Sequence, residues 1–285
     1  MPSEKRQRQD EGRLLRLEAQ RAATRKDQRK GQLRTLLLLL GAVVVVAGGI
    51  AIFSGGDDES TSTTGSTTTT TAVPGASVEI PLPEPGRALT GETPCPAADG
   101  SSERTTSFEL GPTYCLDDTK RYTATLVTSE GDIVIELDSQ ASPVTVNSFV
   151  VLARYHFYDG VAFHRIIPGF VNQTGDPVGP TPGTGGPGFM IPDEPPADPT
   201  TAYQPGTVAM ARTSEPNSAG SQFFIVIGDA NGALASAGNY AVLGRVTEGQ
   251  DVADAINAFG TDSEAGEPTK VVTVETVLIT ETAGG

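Results

Sequence analysis

Between Phe163 and Asp176 the chain reads FHRIIPGFVNQTGD, which gathers His164, Arg165, Phe170, Gln173 and a Pro168-Gly169 turn into one short stretch. A β-branched core segment does not need a guanidinium two residues after a Phe, and a surface loop does not need Ile166, Ile167, Phe170 and Val171. The mixture suits the wall of a shallow apolar groove carrying a few aimed polar groups, as small-ligand and peptide sites are built. The same residues also fit a strand, a turn and a second strand whose Arg merely snorkels. The rest of the chain narrows the chemistry. With 2 His and 2 Cys, and neither HExxH nor CxxC spacing, no metal site is expected. The glycines of 183–186 lie between Pro182 and Pro187 with no Gly-Lys-Ser/Thr after them, so a tight loop is read rather than a phosphate cradle. Ser221 has no His and Asp at a spacing that would make a hydrolytic triad. No cofactor is expected from these motifs, and both readings of the stretch stay open at this point. Asn172-Gln173-Thr174 matches a glycosylation acceptor, a pattern short enough to arise by chance.

The elements that must position this stretch are read around it. Residues 121–128 alternate through Tyr122, Ala124 and Leu126, and after a turn at 129–132 Ile133, Ile135 and Leu137 alternate again, which predicts a hairpin. Ser142-Pro143 predicts a helix start with an N-cap hydroxyl and Pro at the first helical position; the helix reaches about Arg154 with Val146, Phe149 and Val150 inward. Strands are expected over 206–211, 222–227, 240–246 and 271–280. A second helix over about 250–259 has Val252, Ala255, Ile256 and Phe259 at helical spacing and Gly260 where a C′ glycine belongs. Many strands and two helices imply an antiparallel barrel or sandwich with helices at its ends.

Upstream the composition changes. The first 35 residues carry 11 Lys and Arg against 5 Asp and Glu, a net of +6, so the remainder carries −21 of the total −15. So acidic a remainder repels phosphate and excludes nucleic acid as a partner. Residues 35–54 hold no charge, including Leu36 to Leu40 and Val43 to Val46, and as a helix they would span about 30 Å, the thickness of a bilayer core. A single transmembrane helix is therefore expected there, with the basic tail of 1–34 cytoplasmic and Asp57, Asp58 and Glu59 on the far side. Gly49-Ile50-Ala51 would serve as a cleavage site, but the basic region is far longer than a signal n-region, so an uncleaved anchor is the expectation. Residues 55–77 are Ser/Thr-rich and are expected to be a disordered linker reaching roughly 25 to 30 Å. Residues 78–119 are Pro-rich at first and then carry Cys95 and Cys115. Outside the membrane these form one disulfide in a preamble packed against the main domain, the alternative being two free thiols.

Three further pieces align with the opening stretch: AMARTSEPNSAGSQFFIVI from Ala209, NYAVLGRV from Asn239, and Asp193-Glu194 with GTGGPG from Gly183 between them. Over about 120–283 the chain resembles the cyclophilin family of peptidyl-prolyl cis/trans isomerases, because FHRIIPGF followed some fifty residues later by GSQFFI is specific to it. The whole arrangement is similar to membrane-anchored cyclophilins of actinobacteria. The resemblance implies a closed eight-stranded antiparallel β-barrel capped by two α-helices. It implies Arg165 as the catalytic arginine, His164 beside it in support, and Gln173 on the polar side with Gln222. Phe170, Val171, Phe224 and Leu234 match the hydrophobic floor, and Ala211 and Arg212 match contacts to the peptide backbone. Tyr240 stands where many members have His, and Val171 where many have Met. The tryptophan behind tight cyclosporin binding in animal members has no counterpart, since 231–238 offers Ala233 beside Leu234, so the resemblance does not extend to that drug.

The residues can perform the implied reaction. Rotation about an X-Pro bond is slow because the amide nitrogen shares its lone pair with the carbonyl, at a barrier of about 18–20 kcal/mol. Lowering it needs a pocket for the ring and a donor that meets the lone pair once the amide twists. Arg165 is such a donor, forked and always charged, and its interaction strengthens only in the twisted state. The expected partners are Pro-containing polypeptides outside the cell membrane. Two other readings use the same residues: a binding module for proline-containing chains with incidental turnover, and a preamble that recruits a partner.

Overall fold

A computed structural model of the chain describes residues 78–284, apart from 180, 238, 239 and 264. The expected tail, membrane span and linker all lie outside the described residues; among those described, no helix is long and apolar enough to cross a membrane. The alternation in the first predicted hairpin is realised as β3 (Lys120–Thr128) and β4 (Gly131–Leu137). Their antiparallel register sets Tyr122 opposite Leu137, Ala124 opposite Ile135 and Leu126 opposite Ile133. These six side chains are all buried, because facing positions of neighbouring strands share one side of a sheet. Before them, β1 (Arg87–Leu89) and β2 (Thr105–Phe108) form a two-stranded parallel sheet.

The remaining strands are β5 (Val161–Ala162), β6 (Arg165–Ile167), β7 (Val171–Thr174), β8 (Thr207–Met210), β9 (Phe223–Val226), β10 (Val242–Glu248) and β11 (Thr273–Ala283). With β3 and β4 they make one nine-stranded antiparallel sheet in the order β5-β11-β3-β4-β10-β8-β9-β7-β6. The two strands at its ends are consecutive in the chain, separated only by Phe163 and His164. Phe163 N–H donates to Val272 O on one side (2.9 Å) and His164 N–H to Gln173 O on the other (3.1 Å), so the sheet curls and hands one chain segment from β11 to β7. Among the described residues this sheet has nine strands where eight were expected, because the segment 161–167 bends at that hand-over and its two halves pair with different neighbours.

Among the described residues four helices accompany the sheet, where two were expected: α1 (Pro143–Arg154), α2 (Pro199–Ala202), α3 (Asn231–Ala237) and α4 (Gln250–Asn257). The extra pair, α2 and α3, are too short to leave a sustained apolar stripe in the sequence. Pro143 begins α1 as expected, but the Ser142 hydroxyl caps nothing. The Glu194 carboxylate does so from fifty residues away, accepting from Val144 N (3.0 Å) and Thr145 N (2.7 Å), where an anion also suits the helix dipole. The inward face of α4 is Ala253, Ile256 and Asn257, with Ala255 exposed. Gly260 is absent from the glycines with positive φ. It is needed for proximity: a Cβ there would lie 2.6 Å from Ile166 O.

The main core fills the space between the inner sheet face, α1 and α4, with Phe149, Tyr158, Phe163 and Phe223 buried. The preamble joins it, as expected. Cys95 and Cys115 form a disulfide. The buried Asn147 of α1 accepts from Cys115 N (2.7 Å) and donates to Thr113 O (2.9 Å).

Candidate active site

The register of the curled sheet builds the site. Arg165 on β6 faces Gln173 on β7, Gln173 faces Phe224 on β9, and Phe224 faces Ala209 on β8. Opposed residues share a face, so these four form one row across four strands. The intervening residues Ile166, Val208 and Ile225 point into the main core. The opening stretch is thus a strand, turn and strand, and also a groove wall: alternation sends every second residue outward to the site.

Two of the row, Ala209 and Phe224, belong to a smaller apolar cluster with Val171, Tyr203, Val226 and Leu234, with Phe170 and Tyr240 against it. The Tyr240 ring meets Phe224 edge-on at 5.4 Å and Tyr203 at 6.1 Å, and the Tyr203 hydroxyl donates to Tyr240 O at 3.0 Å. These contacts hold two aromatic walls at a fixed angle. They border a cavity of about 370 Å³. It is lined by nine residues named as site candidates, Arg165, Phe170, Val171, Gln173, Ala211, Arg212, Phe224, Leu234 and Tyr240, together with Ala233 and Ala237 of α3.

Gln222 belongs to a neighbouring cavity of about 480 Å³, which shares Gln173, Ala211 and Arg212 with the first. Its far wall is the loop 183–190. A polar chain links the two cavities. Arg165 Nη1 approaches Gln173 Oε1 (3.4 Å), Gln173 Nε2 donates to Gln222 Oε1 (3.0 Å), and Gln222 Nε2 donates to both Gly183 O and Gly185 O (2.9 Å each). Asp176 holds the loop from beneath, accepting from Gly179 N (2.9 Å) and Gly185 N (2.8 Å). Arg212 is set by Asp193 (3.3 Å) and donates to Glu215 O (3.1 Å). Asp176 and Asp193 were not singled out as groove-builders in sequence; Asp176 closes the opening stretch, and its role becomes visible only when residues 179 and 185 are brought to it.

Charge is arranged unevenly. The half-buried Arg165 guanidinium has its pKa lowered by desolvation, opposed by Tyr240, and stays charged at neutral pH. His164 was expected to support Arg165 from beside it. It lines neither cavity, is 8 % exposed, and neither ring nitrogen has a hydrogen-bond partner of normal geometry among the described residues. Burial pushes its pKa down to about 4; Asp176 opposes this, Arg165 adds to it and the nearby Gln222 amide opposes it slightly. His164 directly precedes β6, and its side chain lies away from the cavity that Arg165 lines. Asn172 is fully buried, donating to Ala253 O (2.8 Å) and accepting from Asn257 (2.7 Å), so the glycosylation pattern is inaccessible in the folded chain. Among the described residues no cluster of His, Cys, Asp or Glu could hold a metal ion.

A curled antiparallel sheet whose outer face sets a fixed cation beside an aromatic-walled cavity defines a β protein with a two-chambered groove. Residues 123–279 match the family described as cyclophilin type peptidyl-prolyl cis-trans isomerase/CLD. The peptidyl-prolyl cis-trans isomerase cyp18 of Streptomyces antibioticus is 42% identical over 166 residues, covering 55% of this chain and 98% of that protein. Peptidyl-prolyl cis-trans isomerase A of Dickeya dadantii is 38% identical over 165 residues, 54% of this chain and 82% of its own. The crystal structure of a Cryptosporidium parvum cyclophilin type peptidyl-prolyl cis-trans isomerase superposes with a TM-score of 0.50 at 26% identity, covering 57% of this chain and 99% of that one. The chain belongs to the cyclophilin-type peptidyl-prolyl cis-trans isomerase family, and it is an isomerase of X-Pro bonds.

Proposed function

We propose that this isomerase acts on Pro-containing polypeptides outside the cell membrane, to which residues 35–54 anchor it, and that Arg165 lowers the rotational barrier electrostatically. The observation that carries the mechanism is the cross-strand row Arg165–Gln173–Phe224. It fixes a permanent cation at the mouth of an apolar cavity walled by Phe170, Phe224, Leu234 and Tyr240. A proline ring enters that cavity, and Arg165 meets the amide nitrogen as its lone pair localises in the twisted state. Gln173, hydrogen-bonded to Gln222, orients Arg165 or grips the substrate carbonyl. Residues before the proline continue into the second cavity. No covalent intermediate is required.

The reading of a closed eight-stranded barrel that would hold Arg165 rigidly is supported by counting β5 and β6 as one bent strand. The basic tail, uncharged stretch and Ser/Thr-rich linker support an arrangement like that of membrane-anchored actinobacterial members. With no Trp in the chain, cyclosporin is not proposed as a ligand. The detergent-solubilised full chain, assayed on an Ala-Pro peptide, accelerates isomerisation, and Arg165→Ala abolishes most of the acceleration. Equal rates in both proteins would overturn the role of Arg165; binding of the peptide without acceleration would leave the binding-module reading. Alkaline extraction retains the chain in the membrane pellet, and its release would overturn the anchor.

A further inference from the structure

The loop 183–190 that walls the second cavity is gripped from a direction that the shared family region does not supply. Asp176 and Gln222 hold its first half. Its second half rests on the preamble, which precedes the matched residues 123–279. Phe108 N donates to Pro187 O at 2.8 Å, and the buried Phe108 ring meets Phe189 edge-on at 6.1 Å. Gly188, at φ +101°, passes so near the preamble that a Cβ there would lie 2.4 Å from Phe108 O. Gly111 packs flat on the same ring, its would-be Cβ 3.3 Å from Phe189. Phe108 is itself fixed to the body of the molecule: its ring stacks edge-on to Tyr155 at 5.6 Å, and Thr105 N donates to Tyr155 O at 2.9 Å. A Gly- and Pro-rich loop has no ladder of its own to fix it, so its position follows from whatever it is bonded to.

We propose that the preamble is a working part of the substrate groove, with Phe108 as a positioning residue that sets the width of the second cavity through Pro187, Gly188 and Phe189. The residues preceding the substrate proline are thereby selected by a segment foreign to the rest of the fold. The inference rests on reading the two cavities as one peptide groove. It requires that damage to the preamble be felt by long substrates and not by short ones, since a blocked Ala-Pro dipeptide fills only the first cavity.

The test uses the full chain in detergent, the blocked dipeptide, and a peptide with four residues before the proline. Phe108→Ala raises KM for the longer peptide about tenfold, while its kcat and the rate on the dipeptide stay within about twofold, as a displaced wall well away from the reacting atoms would do. Phe108→Leu, which keeps most of the buried volume, recovers most of the loss. Gly111→Val gives the same split by pressing on Phe189; Gly111 is exposed and its φ is ordinary, so this variant decides the matter if Phe108→Ala does not fold. Equal losses on both substrates, or none on either, would overturn the proposal. A wild-type chain inactive on both peptides would instead overturn the groove reading on which it depends.

Discussion

The two cavities are neighbours, yet they are built by opposite means. The first stands on strands: Arg165, Gln173 and Phe224 occupy successive positions of a hydrogen-bonded ladder, and their spacing is a property of the sheet. The second stands on a loop whose backbone is held by a few polar contacts from Asp176, Gln222 and the preamble. A ladder distributes the task of holding geometry over many equivalent bonds, so no single one of them decides the outcome. A loop concentrates it in a few, each costing about 1–3 kcal/mol if its buried partner is left unsatisfied. Chemistry common to all substrates belongs on the rigid part, and discrimination among them on the part that can be re-set by distant segments.

The contrast can be broken most severely at Arg165. Arg165→Ala lowers kcat/KM on the order of 100- to 1000-fold, the usual loss when a preorganised transition-state donor is removed, and does so equally for short and long peptides. Progress curves on both substrates check this; a loss confined to long ones would contradict the division. Next in size is an effect of pH on stability. His164 titrates near 4 in the folded chain against 6.5 ordinarily. Between those values the unfolded chain takes up a proton that the fold refuses, so stability is full above pH 6.5 and declines towards pH 4, by on the order of 3 kcal/mol. Denaturation curves from pH 7 to pH 4 for the wild type and His164→Gln measure it. The variant's slope is shallower, and an unchanged slope would show that another group governs acid unfolding. Third, Asp176→Ala frees Gly179 N and Gly185 N and costs about 1–3 kcal/mol. Its kinetic signature is a raised KM for long peptides with the dipeptide rate kept, the pattern that marks the loop-built cavity. The smallest effect is expected far from both cavities, where Lys270 pairs with Glu130 (2.6 Å) and lies 4.5 Å over the Phe259 ring. Lys270→Ala lowers stability by less than about 1 kcal/mol and leaves KM for both peptides unaltered.

Legibility in the sequence followed the same division. Alternating strands announced the hairpin of β3 and β4, and nine of the groove residues named in advance meet in the first cavity. The second cavity was represented by Gln222 and shared wall residues alone, because GTGGPG signals a tight loop without saying what it turns against. The helix cap was misplaced for a related reason. Ser142 is the local choice, but Glu194 arrives through the fold and satisfies two N–H groups at once. Gly260 was given a dihedral role and turned out to permit a close backbone approach. His164 looked chemical because histidine is rare in the chain, whereas its side chain lies away from the cavity that Arg165 lines.

By itself the sequence determined which residues alternate, where the chain must turn, which family motif is present, and that a permanent cation lies five residues before Phe170. These are matters of period, composition and local propensity, and they need no contact between distant segments. Only the tertiary structure decided that segment 161–167 serves two neighbouring strands, that a carboxylate fifty residues away caps α1, and that Phe108 of the preamble holds a loop of the groove. Each depends on a hydrogen bond or ring contact between segments far apart in the chain, and such partners become specific only when folding brings them within about 3 Å of each other.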